Sequence, residues 1–273
     1  MNKPQNINEK MLLHGEFLPV SGNLLFLKTS PNKALDAFIR SETAMKFQVR
    51  HREQKCSLND AFQQLFPLAT DADKWCFIGT KSEWTLALHN DGDDFGNSLA
   101  GLGHWAKCDA LLIQYFPAGL PSGNPYIPQT LTEVRAFSYM PFGAEPRLVT
   151  VRCHREKQWS FHELGKAFPF EDTVKYSERF KRNRLTLEML KSYSGHFGID
   201  PFNKDFYLNS AIFATSRETL TSAEREEFMG SWQAYHAAKT GWKVYSIKMV
   251  NGIIEKIRLY AQKRFKHEDF DDV

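Results

Sequence analysis

The chain alternates short apolar runs with polar breaks that carry glycine and proline. GNLLFLKT at 22–29 reads as a strand. Ser30-Pro31 follows it, a capping residue with proline at the first helical position, where its missing N–H costs nothing. A helix is predicted there because Ala34, Leu35, Phe38 and Ile39 fall on one face. A second, shorter helix is predicted from Ser57, gathering Leu58, Phe62 and Leu65 before Pro67 stops it. WCFIG (75–79) and EWTLALH (83–89) flank Thr80, Lys81 and Ser82 and predict a hairpin. In its second strand Trp84, Leu86 and Leu88 alternate against Thr85, Ala87 and His89, so one face is expected to be buried.

Asn90 to Gly96 is a turn rich in Asp and Gly, and NSLAGLGHWAKC behind it reads as a helix capped by Asn97 or Ser98 and weakened by Gly101 and Gly103. ALLIQYF (110–116) is a buried strand. Residues 117–130, PAGLPSGNPYIPQT, hold four prolines and two glycines and form a long loop, a kind of segment that is usually functional or mobile. TEVRAFSYM, RLVTVRC and QWSF continue as short strands without helices between them, which predicts an antiparallel sheet.

Composition shifts after Phe168, where FPFEDT reads as a link to a more helical half. Thr186 starts a helix with Leu187, Leu190 and Tyr193 on one side, ending near Gly195 or Gly198. YLNSAIFAT (207–215) is strand-like. Thr221-Ser222-Ala223-Glu224 matches a capping box, followed by the stripe Phe228, Trp232, Tyr235 and a stop at Gly241. In 243–261 the spacing of Val244, Ile247, Val250, Ile254 and Ile257 suits a helix as well, but Asn251-Gly252 selects a hairpin with a two-residue turn that sets Lys248 opposite Glu255. A helix would carry that glycine at a cost of about 1 kcal/mol relative to alanine. HEDFDD ends the chain as a frayed acidic tail. The fold class expected is α+β, with a mostly antiparallel sheet in the N-terminal part and a helix-rich C-terminal part ending in a β-hairpin. The division expected is 1–168 and 169–273, with a single domain left open.

The chain has 273 residues and is 42% apolar, 14% aromatic and 25% charged, which excludes collagen-like, low-complexity and wholly disordered classes. Core burial at this length needs no metal or disulfide to stabilise the fold. Thirty-five basic against 32 acidic residues leave a net charge of +3, too balanced for a chain that lives wrapped on nucleic acid or on a membrane surface. Cys56, Cys76, Cys108 and Cys153 are far apart and form no C-x-x-C pair, so neither zinc nor a disulfide framework is suggested and reduced thiols fit a cytosol. No run approaches the roughly 18 apolar residues of a membrane helix. MNKPQNINEK is polar, and His14, Glu16 and Pro19 interrupt the apolar stretch behind it, so no signal peptide is read and a cytoplasmic location is expected.

Catalytic signatures fail on inspection. The turn Asp91-Gly92-Asp93-Asp94-Phe95-Gly96 resembles a calcium loop at positions 1, 3 and 6, but Phe95 and Leu102 stand where an oxygen ligand and the bidentate Glu are required. His104 and Cys108 lie four apart on the expected helix, and Cys153-His154 and His162-Glu163 lack H-E-x-x-H spacing, so no convergent metal set is read. There is no G-x-S-x-G elbow around Ser122, no P-loop, and Gly101-Leu102-Gly103 lacks the strand and third glycine of a dinucleotide fingerprint. No metal and no cofactor are expected.

The densest functional feature is KYSERFKRNRLTLEMLK, where Lys175, Arg179, Lys181, Arg182 and Arg184 gather near Tyr176 and Phe180. Arginines with aromatics bind phosphates, stack on bases and anchor protein interfaces. Interleaved Glu171, Asp172, Glu178 and Glu188, with Glu178/Arg182 at i, i+4, read as a solvated helix instead. Tyr126 and Ile127 in the proline-rich loop are the second candidate anchors, unless that loop only covers a sheet edge. The function expected is therefore a non-catalytic binding protein with a protein partner, an immunity- or antitoxin-like inhibitor being one concrete form. Two alternatives stay open: a hydrolytic enzyme, metal-assisted in one version, using His89, Asp91, Asp93 and His104, and nucleic-acid binding through 175–184.

Overall fold

The structure, a computed structural model, describes residues 11–17, 20–44, 46–66, 73–90, 95–117, 131–154 and 158–216, with 249–250 and 253–254. The chain divides into two compact units, Met1–Glu218 and Thr219–Val273.

In the first unit the elements run β1 (Asn23–Leu27), α1 (Pro31–Ala44), β2 (Arg50–Gln54), α2 (Leu58–Leu65), β3 (Asp73–Thr80), β4 (Thr85–His89) and α3 (Phe95–Ala106). They continue as β5 (Ala110–Phe116), β6 (Leu131–Met140), β7 (Arg147–His154), β8 (Trp159–Leu164), α4 (Leu187–His196) and β9 (Tyr207–Ser216). All nine strands form one sheet in the order β2-β9-β3-β4-β1-β5-β6-β7-β8. Every neighbouring pair is antiparallel.

Apolar runs build this sheet because both of its faces are covered. Leu24 and Phe26 turn to one side with Ile78, Leu86, Leu111, Phe137 and Val151, beneath α2, α4 and the turns around them. Leu25 and Leu27 turn to the other with Phe77, Ala87, Leu112 and Ile212, beneath α1 and α3. An antiparallel strand with one wet face would alternate; strands buried on both faces read as continuous apolar runs. The single buried face expected for the second hairpin strand is corrected on this ground, since Thr85, Ala87 and His89 are as buried as their neighbours.

The helix-rich second part is also corrected. Residues 169–216 contain one α-helix, three 3₁₀ turns and β9. β9 does not leave the first sheet: it lies between β2 and β3, pairing Thr215 with Arg50 on one side and Ile212 with Phe77 on the other. The segment 175–184, expected as a helix, is two 3₁₀ turns, and Glu178 pairs with Lys175 instead of Arg182. β2 has no counterpart in the sequence reading. RHREQ carries no apolar residue and is exposed throughout, as suits a charged edge strand that resists further pairing.

Local rules hold elsewhere. Ser57 caps α2 in a reciprocal box with Asp60, and Thr186 caps α4 by accepting from the Met189 N–H. α3 begins two residues before its expected caps Asn97 and Ser98. In the second unit, β10 (Met249–Val250) pairs with β11 (Ile253–Ile254) across Asn251-Gly252, as the two-residue turn predicts. The helix expected at 221–241 and the Lys248/Glu255 pair lie outside the described residues.

Residues 168–206 are held on the β6–β8 side of the sheet by two devices. Phe197 is the centre of an aromatic lattice, with ring centroids 4.8 Å from Tyr139, 5.7 Å from Phe170 and 5.8 Å from Phe168, and its carbonyl accepts the Trp84 indole N–H at 2.9 Å. Arg147 and Glu171 form a buried ion pair: Nε donates to both carboxylate oxygens at 2.9 and 3.1 Å and Nη2 to Oε2 at 2.5 Å. The remaining guanidinium protons reach Glu163 and the Leu164 and Gly165 carbonyls, while Glu171 also accepts from the Phe168 N–H and the Tyr176 hydroxyl. Gly165 is required there, for its φ is +79° and a Cβ would run into the Pro146 carbonyl oxygen.

Burial alone would raise the Glu171 carboxyl; the hydrogen bonds from Arg147, Phe168 and Tyr176 outweigh it and hold the group below its ordinary range. A lowered folded value means that this contribution is complete above the ordinary carboxyl range and is lost as pH falls through the folded value. Glu171→Gln removes the buried counter-charge of Arg147 and leaves it only the half-exposed Glu163 carboxylate, and is expected to destabilise the fold by about 3 kcal/mol in urea unfolding. The variant's deficit should shrink as the pH is taken down towards the acid limit.

Candidate functional site

Two groups of residues qualify by exposure or by concentration of polar atoms. The first is the surface of the 171–185 segment. Its two 3₁₀ turns are pinned from inside by Tyr176 and Leu185, both buried, and by the Arg135 Nη1 donating to the Leu185 carbonyl at 2.7 Å. Between these pins Ser177, Arg179, Phe180, Lys181 and Arg182 are exposed. Phe180 is 57% and Val174 81% exposed, among the few large apolar side chains the described surface leaves open.

Around Phe180 the arginines are ordered by the ring. The guanidinium carbons of Arg179 and Arg182 each stand 5.7 Å from its centroid, and Lys181 is exposed in the same turn. Arg184 turns back instead, over the Phe161 ring at 5.3 Å, with Nε donating to the Glu178 carbonyl at 2.8 Å. Acidic groups frame the patch. Glu178 pairs with Lys175 at 2.5 Å, and Glu133, next to Arg135 at 2.9 Å, feels the charge of Arg182 as well. Burial still dominates at Glu133 and raises its carboxyl above the ordinary value.

Of the expected partner-binding residues, the structure thus gathers Arg179, Phe180, Lys181 and Arg182 on one exposed turn. Tyr176 is part of the buried network: its hydroxyl donates to Glu171 at 2.7 Å and lies 3.0 Å from the Tyr193 hydroxyl. Burial first, then these two contacts, push its phenol far up. Tyr126 and Ile127 lie outside the described residues.

The second group is a buried polar row at one end of the sheet. Ser216 donates to Glu42 at 2.7 Å, Asp73 is in register with Ser216, and His89 Nε2 stands 4.0 Å from Asp73 Oδ1. The His89 ring stacks on Trp75 at 4.4 Å. Sequence reading selected His89 but not Glu42, Asp73 or Ser216. One signal was available: Glu42 continues the apolar stripe Ala34, Leu35, Phe38 of α1, a place where a carboxylate needs a partner. His104 is not part of this row. It is exposed in the last turn of α3, next to Gly103, which lies against Ala110; Ala110 pairs with Leu27 and so lies level with Thr85, at the far end of β4 from His89. Asp91 and Asp93 lie outside the described residues.

Glu42, Ser216 and His89 are too deeply buried to meet a substrate from solvent, and the row serves to fasten α1 to the β9–β3–β4 ends. No group of three or more His, Cys, Asp and Glu converges as a metal set among the described residues. Burial raises the thiols of Cys56, Cys76 and Cys108, the last to about 11, so all three stay protonated at neutral pH. No helix among the described residues is long and apolar enough to cross a membrane.

Comparison with protein-family models, with curated proteins and with solved structures gives no match. The chemistry of these side chains therefore carries the reading.

The division between pins and patch has a direct test. Phe180→Ala should leave stability within about 0.5 kcal/mol of the parent, since an exposed ring is removed. Tyr176→Phe removes a hydrogen bond to a buried carboxylate and should cost about 1.5–3 kcal/mol in the same chemical denaturation.

Proposed function

We propose that the protein is a non-catalytic binding protein for a protein partner, with Phe180 as the central anchor and Arg179, Lys181 and Arg182 around it. One concrete form is an inhibitor of the immunity or antitoxin type. The observation that carries this reading is the exposed Phe180 ring flanked by two guanidinium groups on a segment fixed from below. Aromatic and arginine side chains dominate interface energetics, because each covers a large area and the guanidinium also supplies directed donors. Fixing the turns before contact removes most of the ordering cost of association.

A protein surface fits better than a nucleic-acid backbone. A phosphate track favours uninterrupted positive charge, whereas here Lys175 is engaged by Glu178, Arg184 is turned inward and Asp172 is exposed nearby. Mixed charge around an apolar centre is the pattern of a protein interface rim.

Affinity capture from the native cell with the parent chain, Phe180→Ala and Arg182→Glu tests the reading, followed by titration of the purified partner. A stoichiometric protein held by the parent is expected to bind either variant at least about 30-fold more weakly, the loss typical of a hot-spot residue. Equal binding by all three chains would refute it. Retention of nucleic acid with a steep salt dependence, and loss of it in Arg182→Glu, would transfer the surface to nucleic-acid recognition.

A further inference from the structure

Several cations among the described residues are answered where they stand: Lys28 by Glu83, Arg135 by Glu133, Arg147 by Glu171 and Glu163, and Lys175 by Glu178. Arg179, Lys181 and Arg182 are not. They are exposed on one short stretch around Phe180, and none of them stands within ion-pair distance of a carboxylate among the described residues. Arg182 acts on Glu133 through its charge, but that carboxylate is already bonded to Arg135.

Water and salt screen these charges while the turn is free. A partner seated on Phe180 removes part of that water, so each cation it covers must find an anion or lose its solvation without return. An uncharged apolar face would strand the charges, and a basic face would repel them. A face that sets carboxylates around an apolar contact for the ring meets both requirements. Two of the cations are ordered for this in advance: the guanidinium carbons of Arg179 and Arg182 each stand 5.7 Å from the Phe180 centroid, which keeps their planar forks beside the anchor.

With the Phe180 surface read as a partner site, on which this rests, we propose that the partner presents an acidic protein segment, with Asp and Glu on both sides of an apolar side chain that packs on the ring. Arg179 and Arg182 each bind a carboxylate through the guanidinium fork, and Lys181 supplies a further, less directional charge. Ring and charges act on different steps. Complementary charge around the rim speeds encounter and makes it salt-dependent, whereas the covered ring slows dissociation.

The test pans a displayed library of random peptides on the immobilised full chain, then titrates the most enriched peptide by fluorescence anisotropy against the parent, Phe180→Ala, Arg182→Glu and Arg182→Gln. Each variant alters an exposed side chain, and an unchanged urea midpoint confirms that it is folded. Enriched sequences are expected to carry Asp or Glu on both sides of an apolar residue. Binding should weaken about 10-fold or more in Arg182→Glu, by a smaller factor in Arg182→Gln, and about 10-fold between low and physiological salt. Phe180→Ala should weaken it while keeping the salt dependence. Enriched sequences with no excess of acid, or equal binding by the parent and Arg182→Glu, would overturn the acidic class, yet leave the anchor reading standing if Phe180→Ala still weakens binding. Equal binding by the parent and Phe180→Ala, or no enrichment at all, would overturn both. Tighter binding of a random-sequence DNA duplex than of the peptide would also overturn the acidic class and assign the cations to phosphate.

Discussion

The ion pair between Arg147 and Glu171 is the constraint on which the β6–β8 half of the sheet depends. Its two charges are almost completely out of water, so each depends on close partners to remain ionised, Glu171 on Arg147 and Arg147 on Glu171 with Glu163 beside it. The pair joins the first residue of β7 to the segment that covers that strand, and Glu171 gathers Phe168 and Tyr176 around itself. Through Tyr176 it reaches Tyr193 of α4, and through Tyr193 the Asp172 N–H. A segment with little regular structure is thereby tied to the sheet by a connected set of buried polar contacts.

That rigidity decides what the outer surface can do. A loop that bears an exposed phenylalanine among arginines is ordinarily mobile, and binding must then order it at a cost. Here the ordering is done by the fold, since the backbone on either side of Phe180 is anchored by a buried tyrosine and a buried leucine. The opposite side of the same strands has a different character. There Arg152 is exposed, and the neighbouring Thr150 is buried with no hydrogen-bond partner for its hydroxyl among the described residues.

Much of the strand content was legible because a sheet covered on both faces writes itself as uninterrupted apolar runs, as in Leu24–Leu27 and Ala110–Ile113. Helices α1, α2 and α4 were legible through their caps at Ser30, Ser57 and Thr186. What escaped is what depends on distant residues. Arg50–Gln54 has no apolar period, and it is a strand only because β9 lies beside it. The helices read from Thr186 and from the capping box at 221–224 suggested a helical second part, and nothing local says that Tyr207–Ser216 inserts between β2 and β3. At the sites, the arginine–phenylalanine association was visible as proximity in sequence, but the inward turn of Tyr176 and Arg184 was not, since a 3₁₀ turn leaves no apolar stripe to assign faces. The burial of Thr150 without a hydroxyl partner among the described residues left no signal, because an unmet hydrogen bond is a property of the surroundings and not of the residue.

The placement of β9 has a consequence for synthesis. While the ribosome is still extending the chain through residue 206, β3 has one open side, lined by Trp75, Phe77 and the rest of that strand, and β2 has nothing to pair with. The nascent sheet is therefore complete on its β5–β8 flank well before it closes on the other. Until Tyr207–Ser216 emerges and slides into the gap, the edge of β3 stays open to pairing with another strand, including one from an unfinished copy of the chain.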